Sequence, residues 1–213
     1  MTQVKVKICG FTRSEDLDHA VAAGVDAVGL VFAASPRCLE LADAGRLARS
    51  VPAHVLRVGL FMDQPADAVT AVLEQVPLDW LQFHGQEDNA YCAAFGLPFL
   101  KAVSMTAQDP EEVALSFPDA GGILLDSHVP GGAGGTGRTF DWRRRVRAAQ
   151  PLWLAGGLNP DNVAEAVSRF QPYAVDVSSG VERAPGVKDP ERVRNFISNA
   201  RQVDHEPASP SSL

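Results

Sequence analysis

Short apolar runs alternate with segments of helical periodicity along nearly the whole chain. The apolar runs have the length of buried strands, and the segments between them place apolar residues on one face of a helix. The predicted strands are residues 4–9, 27–32, 55–61, 80–83, 99–104, 122–126, 152–155 and 174–177. The predicted helices are residues 14–23, 42–50, 65–75, 87–95, 110–116, 140–149, 160–170 and 189–200.

This alternation of strand and helix predicts a parallel sheet, because parallel neighbours need a long crossover connection. Eight such units in 213 residues favour an α/β fold that is a single (β/α)8 TIM barrel over an open doubly wound sheet. A dinucleotide-binding open sheet would have a G-x-G-x-x-G turn after its first strand. The end of the first strand and the residues after it, KICGFTRSED, contain one glycine. We therefore predict a barrel over residues 1–201 and a disordered polar tail over residues 202–213.

Composition and charge indicate an ordinary globular protein and argue against several other classes of protein. Hydrophobic residues make up 46% of the chain and charged residues 21%, which is ordinary for a globular protein. The net charge of −7 argues against a nucleic-acid partner. No window approaches the roughly 18 apolar residues of a membrane helix, and the first residues do not form a signal peptide. The three cysteines include no C-x-x-C pair, so we expect a cytoplasmic protein without a metal site or disulfides.

Glycine-bearing loops follow the last three predicted strands. In TIM barrels the loops after strands seven and eight commonly bind phosphate, with backbone N–H groups converging on the anion. We therefore predict a phosphate site in the loops after strands six, seven and eight. Its predicted members are Gly134, Gly135, Gly137, Gly156, Gly157, Ser178, Ser179 and Gly180.

The first strand ends in a cysteine next to a lysine on the same face. Side chains alternate along a strand, so Lys7 and Cys9 share the face opposite Val6 and Ile8. Because the apolar face suits the helix layer, Lys7 and Cys9 are predicted inside the barrel mouth. A nearby cation can favour the thiolate, which could then abstract a proton. Alternatively, Lys7 is a structural ion-pair partner of Asp176 at the end of strand eight.

Three further polar side chains end strands or begin the loops after them. Asp126 is either a solvated loop carboxylate or, if withdrawn from water, a proton donor near neutral pH. Arg37 is either a surface arginine or a bidentate partner of a planar carboxylate. His84 is interpreted as a hydrogen-bonding residue rather than as a catalyst.

Seven motifs, in order along the chain, resemble the phosphoribosylanthranilate isomerases of tryptophan biosynthesis. The matching segments are KICG at 7–10, SPR at 35–37, LQFHG at 81–85, LLD at 124–126, GGTGRTFDW at 134–142, LAGGL at 154–158 and DVSSGVE at 176–182. The resemblance covers nearly the whole chain.

This resemblance implies an isomerase that carries out a cofactor-free Amadori rearrangement. Its substrate would be N-(5-phosphoribosyl)anthranilate and its product 1-(2-carboxyphenylamino)-1-deoxyribulose 5-phosphate. The family's general base falls on Cys9 and its general acid on Asp126. Its anthranilate-contacting arginine falls on Arg37, and we group His84 with it. The partner is thus a small phosphoribosyl molecule, and both a monomer and a homodimer remain open.

Other phosphosugar barrels are the first alternative. The histidine-pathway isomerase resembles a two-aspartate enzyme with half-barrel repeats, whereas Cys9 occupies the first of these positions here. Indole-glycerol phosphate synthase would need a longer N-terminal segment and further lysine and glutamate residues at strand ends. A non-catalytic phosphate sensor is the alternative from another class, but it leaves Cys9 and Asp126 unexplained.

Overall fold

The computed structural model describes residues 3–127, 141–144 and 146–203. Eight parallel strands form a closed barrel in which each strand pairs with its sequence neighbours and the eighth pairs with the first. The barrel strands are β1 Lys5–Cys9, β2 Ala27–Val31, β3 Leu56–Phe61, β4 Trp80–Phe83, β5 Phe99–Ser104, β6 Gly122–Asp126, β7 Leu152–Leu154 and β8 Ala174–Val177. The predicted (β/α)8 barrel is confirmed.

Seven α-helices surround the barrel in the described part of the chain. They are α1 Ser14–Ala22, α2 Leu41–Ser50, α3 Ala66–Gln75, α4 Asn89–Ala93, α5 Pro110–Leu115, α6 Val163–Phe170 and α7 Pro190–Arg201. The main apolar core lies between the strands and these helices and includes Val4, Val6 and Ile8. The apolar face of β1 therefore packs against the helices, as predicted. Within the described ranges, no helix is long and apolar enough to cross a membrane.

The helix predicted at residues 140–149 is wrong for residues 141–144 and 146–149, which are not helical. Four arginines fall within residues 143–147, and like charges on adjacent turns of a helix repel one another. Polar contacts with other parts of the barrel hold the described residues of this segment in place instead. Arg144 donates to the carbonyl of Met105 at 2.9 Å, and the backbone N–H of Arg147 donates to Glu111 at 3.0 Å.

The fourth helix is shorter than predicted because the two acidic residues before it have other partners. Asp88 caps the helix by accepting a hydrogen bond from the backbone N–H of Tyr91 at 2.8 Å. Glu87 turns inward and forms a buried ion pair with Lys101 at 2.8 Å. The extended backbone of Asp88, typical of an N-cap, therefore sets the start of the helix at Asn89.

An unpredicted insertion lies between the last strand of the barrel and the last helix. A 3-10 turn, Ser179–Val181, leads into β9 Glu182–Ala184, which pairs antiparallel with β10 Val187–Lys188. We call residues 182–188 the ribbon. Of the predicted disordered tail, residues 204–213 lie outside the described residues.

Candidate active site

One cavity lies at the carboxyl ends of the barrel strands, where TIM barrels carry their active sites. Every predicted site residue within the described ranges lines it except Lys7, which is buried directly below. The cavity-lining candidates are Cys9, Arg37, His84, Asp126, Gly156, Gly157, Asp176, Ser178, Ser179 and Gly180. The other candidates, Gly134, Gly135 and Gly137, lie outside the described residues.

Cys9 ends β1 and is only 5% exposed. Its register partner in β2 is Gly29, and a Cβ atom at Gly29 would lie 2.5 Å from the Cys9 Sγ. Gly29 therefore makes room for the thiol, a role that the strand pattern of the sequence did not indicate. Burial raises the pKa of Cys9 above its ordinary value, although the positive charges of Lys7 and Lys188 oppose this. Lys7 thus favours the thiolate, as expected, but in the free protein the effect of desolvation is larger.

Lys7 and Asp176 form the predicted ion pair, with Lys7 Nζ 2.8 Å from Asp176 Oδ2. Burial would lower the pKa of Lys7, but attraction to Asp176 raises it above its ordinary value. Lys7 is therefore a charged ammonium below the cavity. The other carboxylate oxygen of Asp176 accepts no hydrogen bond from the described residues, and Asp176 lines the cavity. The pair is thus structural, and its carboxylate borders the cavity.

Asp126 ends β6 and is buried at the cavity wall. Its Oδ2 lies 3.4 Å from His84 Nε2, and His84 Nδ1 lies 3.3 Å from the side-chain nitrogen of Gln82. Asp126 is therefore not a solvated loop carboxylate, which was the alternative interpretation of its position. Gln82, which belongs to the LQFHG segment, also lines the cavity.

Arg37 lies in the loop after β2 and lines the cavity. Its Nε and Nη2 groups donate to the two carboxylate oxygens of Glu182 at 2.8 and 2.7 Å. Hydrogen bonding to Glu182 raises the pKa of Arg37, so the guanidinium stays charged. Glu182 and Lys188 of the ribbon are functional candidates that sequence reasoning missed. Periodicity carries no information about contacts between distant loops.

The loops after β7 and β8 approach each other closely enough to exclude a side chain. Gly156 and Gly157 have positive φ angles of 81° and 66°, where side chains are rarely tolerated. Gly180 lies so near Leu158 that a Cβ atom would overlap the carbonyl oxygen of Leu158. These glycines bring backbone together at the place predicted for phosphate, which supports that prediction without testing it.

Comparison with known proteins decides the family. The model of the N-(5′-phosphoribosyl)anthranilate isomerase family matches residues 6–199. The chain belongs to this family. An isomerase of Thiobacillus denitrificans is 53% identical over 201 residues, with 93% of this chain and 98% of that protein covered. One of Acidithiobacillus ferrooxidans is 49% identical over 203 residues, with 94% and 99% covered.

Solved structures of the family have the same fold. The phosphoribosylanthranilate isomerase of Thermotoga maritima superposes with a TM-score of 0.84 at 40% identity, covering 94% of this chain and all of that one. A family member in complex with reduced 1-(o-carboxyphenylamino)-1-deoxyribulose 5-phosphate superposes with a TM-score of 0.81 at 39% identity, with the same coverage. The predicted family and isomerase class are therefore confirmed.

The raised pKa of Cys9 predicts slow alkylation of this family member at neutral pH. In a Cys38→Ser/Cys92→Ser variant, Cys9 is the single cysteine. Its rate of reaction with iodoacetamide should still be rising above about pH 8.5, where an ordinary thiol is half ionised. Free cysteine measured in parallel is the reference. A rate that reaches its plateau at lower pH than the reference would contradict a raised pKa of Cys9.

Proposed function

We propose that Asp126 is the general acid and Cys9 the general base of the reaction that this isomerase catalyses. As a family member the chain converts N-(5-phosphoribosyl)anthranilate into 1-(2-carboxyphenylamino)-1-deoxyribulose 5-phosphate in tryptophan biosynthesis. The assignment of these acid and base roles rests on one observation, which is that both side chains line the same cavity. It brings a thiol from β1 and a carboxyl group from β6 against the same ligand space.

Asp126 acts first, by protonating the ring oxygen of the ribose. The C1′–O bond then breaks as the anthranilate nitrogen donates its lone pair to C1′, which gives a protonated Schiff base. A buried carboxyl group can keep its proton until the substrate arrives, since water does not stabilise the charged form. The neighbouring His84 imidazole can hydrogen-bond to the carboxylate that remains.

Cys9 acts second, by removing the proton from C2′. The electrons of that C–H bond form the C1′=C2′ bond, and those of the C1′=N bond return to nitrogen. The resulting enolamine gains a proton at C1′ and loses the C2′ hydroxyl proton to become the ketone. Although burial disfavours the thiolate, the positive Schiff base and the ammonium groups of Lys7 and Lys188 favour it during the reaction.

The two ends of the substrate are held on either side of these groups. Arg37 binds the anthranilate carboxylate, with His84 also at this end, because a guanidinium matches the geometry of a carboxylate. Backbone N–H groups around Gly156, Gly157, Ser178, Ser179 and Gly180 bind the phosphate. The loop with Gly134, Gly135 and Gly137 completes this site in our proposal. Lys7 and Asp176 support the acid–base pair from below.

The cellular setting is also part of the proposal. A cytoplasmic location fits a biosynthetic isomerase, and the net charge of −7 supports a small-molecule ligand rather than a nucleic acid. One solved relative is described as dimeric, which supports a homodimer as the form to test.

Gly180→Ala should weaken binding of the phosphorylated end of the ligand. Because the new Cβ would overlap the carbonyl oxygen of Leu158, the loops after β7 and β8 must separate. Calorimetry with the reduced product analogue should show a Kd raised by roughly tenfold or more, the scale of one lost hydrogen bond to a charged group. The dephosphorylated analogue should bind wild type and variant alike.

A glycine elsewhere provides the matched control. Gly45→Ala in α2 meets only the flexible end of Arg49 and the carbonyl oxygen of Gln75, at 3.1 Å and beyond, and should leave both affinities unchanged. An equal loss of affinity for the two analogues in Gly180→Ala would place the phosphate elsewhere.

A further inference from the structure

Two buried charged residues of the ribbon neither donate nor remove a proton in the acid–base steps. Glu182 and Lys188 form an ion pair at 2.7 Å, with side chains that are 5% and 1% exposed. Burying charges is costly unless they are closely paired. The position of this pair, between Arg37 and the end of β1, indicates what it does.

Glu182 fixes the direction of the Arg37 guanidinium. It accepts hydrogen bonds from Nε and Nη2, so these two groups face the ribbon. The Nη1 group takes no part in this contact, and Arg37 lines the cavity. The stem of Arg37 lies against Gly10, whose φ is +82° and where a Cβ atom would overlap Arg37 Cδ. Both the stem and the head group of Arg37 are thus held in place.

Lys188 fixes Glu182 in turn. All three N–H groups of its ammonium have acceptors, namely Glu182 Oε1 at 2.7 Å, the carbonyl of Cys9 at 2.6 Å and the carbonyl of Ser178 at 3.3 Å. Its ammonium also lies 5.7 Å from the centre of the Phe11 ring. Lys188 therefore joins Glu182 to the ends of β1 and β8.

The charges of this cluster favour an anionic ligand group. Burial lowers the pKa of Lys188, but its ion pair with Glu182 opposes this and keeps the ammonium form favoured. Two cations then share one carboxylate, which leaves one net positive charge beside the cavity. Burial opposes ionisation of Glu182, but Arg37 and Lys188 together lower its pKa, so Glu182 is ionised. A ligand carboxylate at Arg37 would neutralise the cluster in a place with little water, where such pairing is strong.

We propose that Glu182 is a positioning residue that aims the Nη1 side of Arg37 at the carboxylate of the substrate, and that Lys188 holds Glu182 in register with Cys9. This inference rests on the role proposed above for Arg37. It assigns the specificity for the carboxylate-bearing ring to the ribbon, which is hydrogen-bonded to Arg37 and to the backbone of Cys9 and Ser178.

Glu182→Gln tests the proposal with little change in size. The amide offers one oxygen where the carboxylate offered two, and it has no charge to balance Arg37 and Lys188. KM should rise roughly 10- to 100-fold, as expected for losing a hydrogen bond to a charged group, while kcat changes by less than about threefold. Glu182→Asp keeps the charge and should recover part of the loss.

Binding measurements separate positioning from general loosening. The reduced product analogue should bind Glu182→Gln more weakly by the same factor as KM, whereas the analogue without the carboxylate should bind wild type and variant equally. An equal loss for both analogues would overturn the proposal. If Glu182→Gln does not fold, Glu182→Asp takes its place, and equal binding of the carboxylate analogue by Glu182→Asp and wild type overturns it.

A second bidentate pair of the barrel provides the control. Arg57 and Asp79 make the same two-bond contact at 2.8 and 2.7 Å, at the opposite end of the barrel. Asp79→Asn should leave KM and kcat unchanged.

The variant Arg37→Lys distinguishes a failure of the role proposed for Arg37 from a failure of the role proposed for Glu182. If Arg37→Lys and Glu182→Gln both bind the carboxylate analogue like wild type, Arg37 does not bind the substrate carboxylate. If Arg37→Lys alone binds it more weakly, Arg37 keeps its role and Glu182 does not position it.

Discussion

Asp126→Asn is expected to lower kcat by roughly 10³-fold, within the range that a general acid contributes. The amide has the shape of the carboxyl group but no proton acidic enough to pass to the ribose oxygen. The ring therefore stays closed, and the reaction stops before the Schiff base forms. Turnover under substrate saturation measures this directly.

Binding should survive the same substitution. Because the phosphate and carboxylate contacts are made elsewhere, the Kd of the reduced product analogue should change by no more than a few-fold. Asp161→Asn, at an exposed carboxylate before α6, is the matched control and should keep wild-type turnover. Near-normal turnover in Asp126→Asn would remove Asp126 from the acid role.

Cys9→Ala is expected to lower kcat by roughly 10²- to 10⁴-fold, the usual range for a general base. The variant can still open the ring, but it has no group at the end of β1 to remove the C2′ proton. Single-turnover measurements should show the loss in the chemical step, with binding of the reduced analogue retained.

Cys92 offers a control for the packing effect of losing a buried thiol. It lies in α4 within the apolar core, and burial raises its pKa to about 12. Cys92→Ala removes the same atom from a fully buried site and should keep wild-type kcat. If Cys9→Ala turned over at a rate near that of Cys92→Ala, the base would have to be another residue.

The barrel and most of its site could be predicted because both follow from local patterns. Strand length and alternation placed β1 through β8, and the strand ends then pointed to Cys9 and Asp126. Parallel strands bring their carboxyl ends to one edge, so residues far apart in sequence meet there.

The features that could not be predicted from the sequence depend on contacts between distant loops or on the balance between burial and charge. Glu182 meets Arg37 across 145 positions of sequence, and no periodicity encodes that meeting. The pKa of Cys9 depends on burial against the charge of Lys7, and the sequence showed only the lysine. After β6, the apolar positions suggested a helix. The described part of that segment is not helical, because repulsion within the arginine cluster and polar contacts of the segment favour another backbone path.

The most direct test of the central claim follows the fluorescence of N-(5-phosphoribosyl)anthranilate in the presence of the purified protein. Wild type should remove the fluorescence with many turnovers, whereas Asp126→Asn and Cys9→Ala at equal concentration should leave it nearly constant while still binding the reduced analogue. Loss of fluorescence at similar rates in all three proteins would contradict acid–base catalysis by Asp126 and Cys9.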